Sequence, residues 1–273
     1  MRSSATDAAA IDLGDHRSFA GSQPHAAFDH LRTVSPVHRH PEPDGPGFWA
    51  VTSHELVTEV GKDADRFSSE PTIMLRDPDD ADQFGDHKMM LMCDPPLHTR
   101  MRRLVSRRFT PRSIRALDQG ISTLATRIVD EVSEQGECDL VADLAGEMPS
   151  FVIADLLGIP LEDGRALYHH TETLHSATDA VGIEAQRAAL GEMFAYAAGV
   201  HAARTAEPSD DLASLIANGG VAGEPVDEVD FFLWFLLLVD AGGDTTRNLV
   251  GGGLHALFER PTALAELTAA PDD

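Results

Sequence analysis

Residues 231–246 read Phe-Phe-Leu-Trp-Phe-Leu-Leu-Leu-Val-Asp-Ala-Gly-Gly-Asp-Thr-Thr. The first nine residues are apolar on every side of a helix, which predicts a helix buried through the middle of a domain. The two adjacent glycines that follow cost about 1 kcal/mol each relative to alanine in a helix interior, so something should compensate. Ala241 and Gly242 lie about one turn before Thr245 and would expose backbone where a flat ligand can approach.

The polar residues after the apolar run allow more than one interpretation. The carboxylate of Asp244 beside the hydroxyl of Thr245, in an apolar helix, is suited to relay protons. Alternatively, the two side chains cap a second helix that starts at this point. Gly242 together with Thr245 also permits a local break in the helix that frees backbone carbonyls. The residues by themselves leave these interpretations open.

A second informative segment covers residues 94–111. Its start, Asp94-Pro95-Pro96, predicts a helix N-terminus, and Thr110-Pro111 predicts the end of that helix. On this helix His98 and Arg102 lie one turn apart on one face, a stripe that Val105 and Phe109 continue. An unpaired buried charge is costly, so this inner pair either requires an anion from elsewhere or is an ordinary structural hydrogen-bonding pair.

Positive charge is concentrated in the same segment. The chain has 45 acidic and 21 basic residues and a formal net charge of −24, yet residues 100–115 contain seven arginines and no acid. Three of them, Arg100, Arg103 and Arg107, form an outer arginine row roughly opposite His98. This row predicts an anionic ligand or an acidic partner, or else a solvated helix face. The overall acidity argues against a nucleic-acid or anionic-membrane partner.

Length and composition exclude several classes of protein. The chain has 273 residues, 42% of them hydrophobic and 24% charged, which is typical of one large or two ordinary globular domains. The two cysteines, Cys93 and Cys138, form no C-x-x-C pair, which favours a reducing compartment. The N-terminus has no signal-peptide core, and the longest apolar run is far shorter than the roughly 20 residues that span a bilayer. We therefore expect a cytoplasmic protein.

The histidines and short motifs predict no metal centre. His169, His170 and His175 follow none of the usual metal-ligand spacings, so we interpret them as surface histidines. The sequence contains no P-loop, no H-E-x-x-H helix and no G-x-S-x-G motif, and the glycines at 251–253 follow a helix and not a strand.

Periodicity along the chain predicts a mainly α-helical fold with a small N-terminal β region. Residues 48–52 predict a strand, and residues 71–92, which are rich in Asp and Pro, predict a long surface loop. The predicted helices cover residues 19–31, 54–61, 94–108, 113–134, 148–157, 164–204 with breaks, 210–217 and 224–260. We interpret residues 1–24 as a polar N-terminal extension and residues 25–273 as part of a single domain.

Together these segments resemble the cytochrome P450 family of haem-thiolate monooxygenases, of the bacterial type. Residues 94–100 with 109–111 resemble the C-helix signature of the family, and residues 241–246 resemble its I-helix signature, Ala/Gly-Gly-x-Asp/Glu-Thr. Residues 151–160 and 66–69 resemble two further family segments. The two signatures occur in the family's order, about 150 residues apart, and the similarity extends from about residue 25 to residue 261.

The resemblance implies a cytochrome P450-like helical fold with haem b as cofactor. His98 and Arg102 would bind the haem propionates, and Ala241 and Gly242 would lie beside the distal face of the porphyrin. Asp244 and Thr245 would deliver protons while O₂ is activated, so that one oxygen atom is inserted into an apolar small molecule. The outer arginine row would face an acidic electron donor such as a ferredoxin.

The chain departs from the family pattern after the I-helix segment. In the family an E-x-x-R helix and a cysteine ligand loop follow, and the chain stops at Asp273 without them. Neither Cys93 nor Cys138 has the sequence context of that loop, so we name no iron ligand. We expect the N-terminal two-thirds of a monooxygenase, inactive by itself, in which the apolar run 231–239 loses much of its cover. The alternative is a non-catalytic helical remnant or binding protein without haem.

Overall fold

The computed structural model describes residues 12–19, 23–42, 45–73, 75, 84–176 and 178–270. The chain divides into two compact units, Met1–Gly85 with Leu91–His98 and Asp86–Met90 with Thr99–Asp273. Helices predominate and the few strands are short, so the prediction of a mainly α-helical fold with a small N-terminal β region is confirmed. Most of the predicted extension, residues 1–11 and 20–22, lies outside the described residues, and the single domain over 25–273 stays a prediction.

The first unit combines two helices with a two-stranded sheet. Helix α1 (His25–Val34) leads into β1 (Val37–His40), which pairs antiparallel with β2 (Phe48–Val51), and α2 (His54–Lys62) follows. The hydroxyl of Ser53 caps α2 by accepting a hydrogen bond from the amide of Leu56 at 3.3 Å. The sequence predicts β2 and α2 but misses β1, because only one of its four residues, Val37, is a strong strand former.

The second unit is built almost entirely from helices. It contains Thr99–Ser106 of α3, and the first residues of that helix belong to the first unit. The elements that follow in the second unit are α4 (Pro111–Gln135), a π-helix (Leu140–Ala145), α5 (Glu147–Leu157), α6 (Leu161–His175), α7 (Thr178–Val181), α8 (Ile183–Ala206), α9 (Leu212–Ala217), a hairpin of β3 (Gly220–Val221) and β4 (Glu224–Pro225), α10 (Glu228–Phe258) and α11 (Pro261–Ala269). Helix α3 as a whole spans Leu97–Ser106. No helix in the described part of the chain is long and apolar enough to cross a membrane.

Helix α10 lies at the centre of the second unit. It contacts α5, α6, α8, α9 and the π-helix, and the side chains of its first half are buried against these neighbours. Phe231, Phe232 and Phe235 are each 1% exposed, and burial of side chains of this size contributes about 1.5–3 kcal/mol each. The expectation that the run 231–239 loses much of its cover is therefore wrong, because helices of the same unit bury it.

An ion pair holds the turn before α9. One carboxylate oxygen of Asp211 accepts the amide of Ser214 at 2.6 Å and so caps the helix, and the other accepts Nε of Arg204 at 2.7 Å. Nη2 of Arg204 also donates to the carbonyl oxygen of Gly158 at 2.5 Å. The side chains of Arg204 and Asp211 are only 23% and 11% exposed, so this cluster joins α8, α9 and the end of α5 in a largely dry environment.

Helices α5 and α6 approach each other closely at Gly164. A Cβ atom at this buried position would lie 2.5 Å from the carbonyl oxygen of Ser150 and 2.8 Å from Cβ of Ala154. Neither of those atoms is the end of a flexible side chain, so only glycine permits the observed distance between the two helices.

Candidate functional site

Helix α10 carries four of the predicted site residues without interruption. It begins after Asp227, whose carboxylate accepts the amide of Asp230 at 2.9 Å, because the hairpin takes up Glu224–Pro225. The helix is continuous through Gly242 and Gly243. The local break that these residues permit does not occur, and the alternative of a second helix capped by Asp244 and Thr245 is wrong.

One face of α10 is exposed in the second half of the helix. Exposed residues recur along this face at helical spacing, and we call them the open stripe: Ala241, Thr245, Asn248, Leu249 and Gly252. The hydroxyl of Thr245 donates a hydrogen bond to the carbonyl oxygen of Ala241 at 3.1 Å, and Leu249 is 74% exposed. Small residues beside a highly exposed leucine form a surface that a flat, largely apolar ligand can cover.

The two glycines next to the open stripe pack against different helices. A Cβ on Gly242 would lie 3.4 Å from the Ile153 side chain of α5, an ordinary close contact. Gly243 is buried, and a Cβ there would lie 2.7 Å from the ring of Tyr168 on α6. Gly243 is thus required for the packing of α6, whereas Gly242 points towards α5, away from the direction predicted for it. Its part in cofactor binding stays a prediction.

The carboxylate of Asp244 is held by two side chains of its own helix. It accepts Nη2 of Arg247 at 2.7 Å and Nδ2 of Asn248 at 3.1 Å, and the side chain is 49% exposed. Arg247 also pairs with Glu172 of α6 and lies over the ring of Tyr168, 5.5 Å from its centroid. Asp244 is therefore a half-exposed, hydrogen-bonded carboxylate and not one enclosed in an apolar helix.

The residues around Asp244 are not predicted from the sequence. Burial raises the pKa of Tyr168 to about 12, and its hydroxyl has no hydrogen-bond partner in the described part of the chain. A second link to α6 joins Nε2 of His175 to Asp240 at 2.6 Å, and this hydrogen bond raises the pKa of His175 above 6.5. Only Arg247 gave a local signal, because it follows Asp244 at the i,i+3 spacing of helical ion pairs.

Helix α3 places His98 and Arg102 one turn apart, as predicted. Met101 and Val105 are buried, at 7% and 6% exposed, and form the core face of the helix. His98 is half-buried and Arg102 is exposed, so the pair is not buried as predicted, because the core face turns only Met101 and Val105 inward. Among the described residues neither side chain has a hydrogen-bond or ion-pair partner. Two unpartnered donors on one face fit the carboxylates of haem propionates.

The outer arginine row is exposed, as predicted. Within the described ranges Arg100, Arg103 and Arg107 have no carboxylate partner, whereas Arg108 pairs with Asp210. Residues Arg107–Phe109 form a 3₁₀ turn, and Phe109 is 42% exposed. The prediction that Phe109 continues the inner stripe is therefore wrong, because the tighter turn rotates its side chain into solvent.

The two cysteines differ in their surroundings. Cys93 is buried just before α3, and Cys138 is exposed between α4 and the π-helix. We assign neither of them as an iron ligand.

Comparisons with known proteins place the fold and the two signatures in a family. No protein-family model matches the chain. Cytochrome P450 126 of Mycobacterium tuberculosis is 35% identical over 280 residues, which cover 94% of this chain and 65% of that protein. The steroid C26-monooxygenase of Rhodococcus jostii is 32% identical over 262 residues, which cover 92% of this chain and 55% of that protein. A solved Mycobacterium marinum cytochrome P450 in complex with pseudoionone matches with a TM-score of 0.86 and 32% identity, covering 96% of this chain and 67% of that one.

These similarities confirm the resemblance and the predicted fold. The chain belongs to the cytochrome P450 family, and its helices are arranged as in that family's solved structures. It spans about two thirds of the length of the first curated relative and about half of the second.

Proposed function

We propose that the chain forms the haem-facing part of a cytoplasmic monooxygenase that inserts one oxygen atom from O₂ into an apolar small molecule. The observation that carries this proposal is the open stripe, where a small residue, a hydroxyl and an exposed leucine share one face of α10. Similarity to a steroid C26-monooxygenase and to a cytochrome P450 solved with pseudoionone supports an apolar substrate.

Haem b is the cofactor that we propose. When bound, it supplies the redox chemistry that activates O₂, which no amino-acid side chain provides. The guanidinium of Arg102, which has no partner among the described residues, would donate to a propionate carboxylate, and His98, one turn away, would donate to the same group or its neighbour. Ala241 leaves room for the porphyrin, since it is exposed on the open stripe and its side chain ends at Cβ. Gly242, where a Cβ would face Ile153 of α5, would contribute only its backbone beside the porphyrin.

Thr245 and Asp244 would move protons to the reacting oxygen. The hydroxyl of Thr245 lies on the open stripe and keeps a fixed direction through its bond to Ala241. Asp244 is adjacent and half-exposed, so its carboxylate is open to solvent while Arg247 and Asn248 hold it. A proton taken up at Asp244 would reach Oγ1 of Thr245 through water, and Thr245 would pass it on.

One observation favours the alternative, a helical binding protein without haem. The core around Phe231 and Phe235 is complete within the second unit, so this unit has no need of a cofactor to bury its apolar run. Haem binding by the purified chain distinguishes the two candidates.

In a haem titration followed by absorbance, we expect saturable binding to the chain and binding at least about tenfold weaker for Ala241→Trp, a difference of about 1.4 kcal/mol. Ala241 is exposed, so an indole there covers the open stripe without disturbing the core. The matched control is Ala188→Trp at an exposed position of α8, for which we expect unchanged affinity. Absence of saturable binding, or equal losses in both variants, would contradict the haem proposal.

The outer arginine row is the proposed docking surface for an acidic electron donor such as a ferredoxin. We expect the double variant Arg103→Glu, Arg107→Glu to weaken binding of a purified acidic ferredoxin about tenfold at low salt, because two attractive charges become repulsive. The difference should shrink at high ionic strength, which isothermal titration calorimetry can follow. Arg187→Glu, on α8 and outside the row, is the control and should change little. An effect of the control equal to that of the double variant would rule out this docking surface.

A further inference from the structure

A histidine in a short segment ahead of α3 contacts the N-terminus of α10. This segment, Asp86–Met90, belongs to the second unit and contains neither an α-helix nor a strand; we call it the strap. Nδ1 of His87 lies 2.9 Å from a carboxylate oxygen of Asp230, and Nε2 lies 3.7 Å from a carboxylate oxygen of Asp227. Both ring nitrogens of His87 therefore face an acid of α10.

Both acids belong to the N-terminus of α10, and the Asp227 carboxylate is fixed independently of the strap. Asp227 is the N-cap of α10, and Asp230 lies in the first helical turn, where the helix dipole favours negative charge. The third charged group that acts on His87 is Asp86, on the strap itself. Every one of these groups is an acid, so they all favour a positively charged imidazole.

We propose that His87 acts as a proton-operated latch, which holds the strap on α10 when the ring is protonated and loosens it when the ring is neutral. A protonated imidazole donates from both nitrogens and can bind Asp230 and attract Asp227 at the same time. The neutral ring keeps a single donor, so one of the two attachments is lost. The latch is independent of the proposed catalytic function.

The direction of the pH dependence follows from the surroundings of the ring. The hydrogen bond to Asp230, together with the charges of Asp227 and Asp86, raises the pKa of His87 above its ordinary 6.5. A raised pKa in the folded state means that the latch is fully closed below about pH 6.5 and opens as the pH rises through the raised value.

Cleavage after Lys88 by trypsin tests the latch, because Lys88 lies within the strap. Short digests of the full chain between pH 6 and pH 9 are normalised at each pH to a synthetic peptide of residues 84–92, which removes the pH dependence of the protease. We expect the normalised rate to rise about tenfold over this range, because the neutral ring loses its ion pair with Asp227 and its hydrogen bond to Asp230 is no longer charge-assisted.

Variants separate the latch from other causes. We expect His87→Gln to be cleaved fast at every pH, and Asp230→Asn to reach the fast rate at a lower pH than the unaltered chain. His175→Gln, which alters the other His–Asp link to α10, should keep the original profile. Circular dichroism verifies that each variant is folded, and Asp230→Asn provides the test if His87→Gln is not.

Two results would overturn the latch. The first is a normalised rate that does not depend on pH, or a His87→Gln variant that keeps the pH-dependent rise. The second concerns metal, because His87, Asp227 and Asp230 also have the composition of a divalent-cation site. If EDTA opens the strap at pH 6, a bound metal and not a proton holds it; we expect EDTA to have no effect.

Discussion

Asp211→Ala is expected to lower the free energy of unfolding by about 3 kcal/mol. The substitution removes the cap of α9 and, at the same time, the carboxylate partner of Arg204. Arg204 is then left in a largely buried position with the carbonyl of Gly158 as its remaining partner. Urea denaturation of the full chain, followed by circular dichroism, measures the difference.

The neighbouring residue supplies the control for this prediction. Asp210 carries the same carboxylate and pairs with Arg108, but its side chain is 98% exposed. An exposed ion pair contributes at most about 1 kcal/mol, so we expect Asp210→Ala to have a small effect. Similar losses for the two variants would show that burial of the Arg204–Asp211 pair does not govern stability here.

Gly164→Ala should destabilise the chain by about 2 kcal/mol, although alanine is the better helix former. The added methyl group would overlap the backbone of α5 at Ser150 and the side chain of Ala154, so the two helices must move apart. Thermal and urea unfolding of the variant measure this cost. In urea we expect a lower midpoint concentration and an unchanged dependence of the free energy of unfolding on urea concentration.

A glycine without neighbours serves as the comparison for Gly164. Gly191 lies in α8, and a Cβ there would meet no atom of the described residues within 4 Å. Gly191→Ala is therefore expected to stabilise the chain by about 0.5–1 kcal/mol through helix propensity alone. The two substitutions should have opposite signs; a stabilising Gly164→Ala would mean that α5 and α6 are not in the contact described.

Sequence periodicity located those helices whose ends carry local signals. The sequence predicts a helix over 113–134, and α4 begins two residues earlier, at Pro111, with the Thr110 hydroxyl accepting the amide of Ser113. Helix α5, predicted to end at 157, ends there, before the left-handed Gly158. Strand β1 was missed because its pairing with β2 is a contact between segments and leaves little trace within four residues.

The sequence names candidate site residues, which stay predictions, but it does not give the geometry around them. Two adjacent glycines favour a break in an isolated helix, yet α10 continues through them, with Tyr168 and Ile153 packed where side chains would be. Similarly, the ion pair between Arg247 and Glu172 joins residues 75 positions apart, and no local pattern encodes such a contact. The expectation that Arg102 is buried was also wrong, since helical spacing gives the relative direction of side chains but not which other residues cover them.

The order of the helices along the chain has a consequence for synthesis on the ribosome. The helices α5, α6, α8 and α9, which cover the aromatic first half of α10, all precede it in the sequence. When residues 231–239 emerge, their packing partners have already been translated and can receive them at once. This nine-residue apolar segment is therefore exposed only briefly in the nascent chain, which limits its opportunity to aggregate before folding.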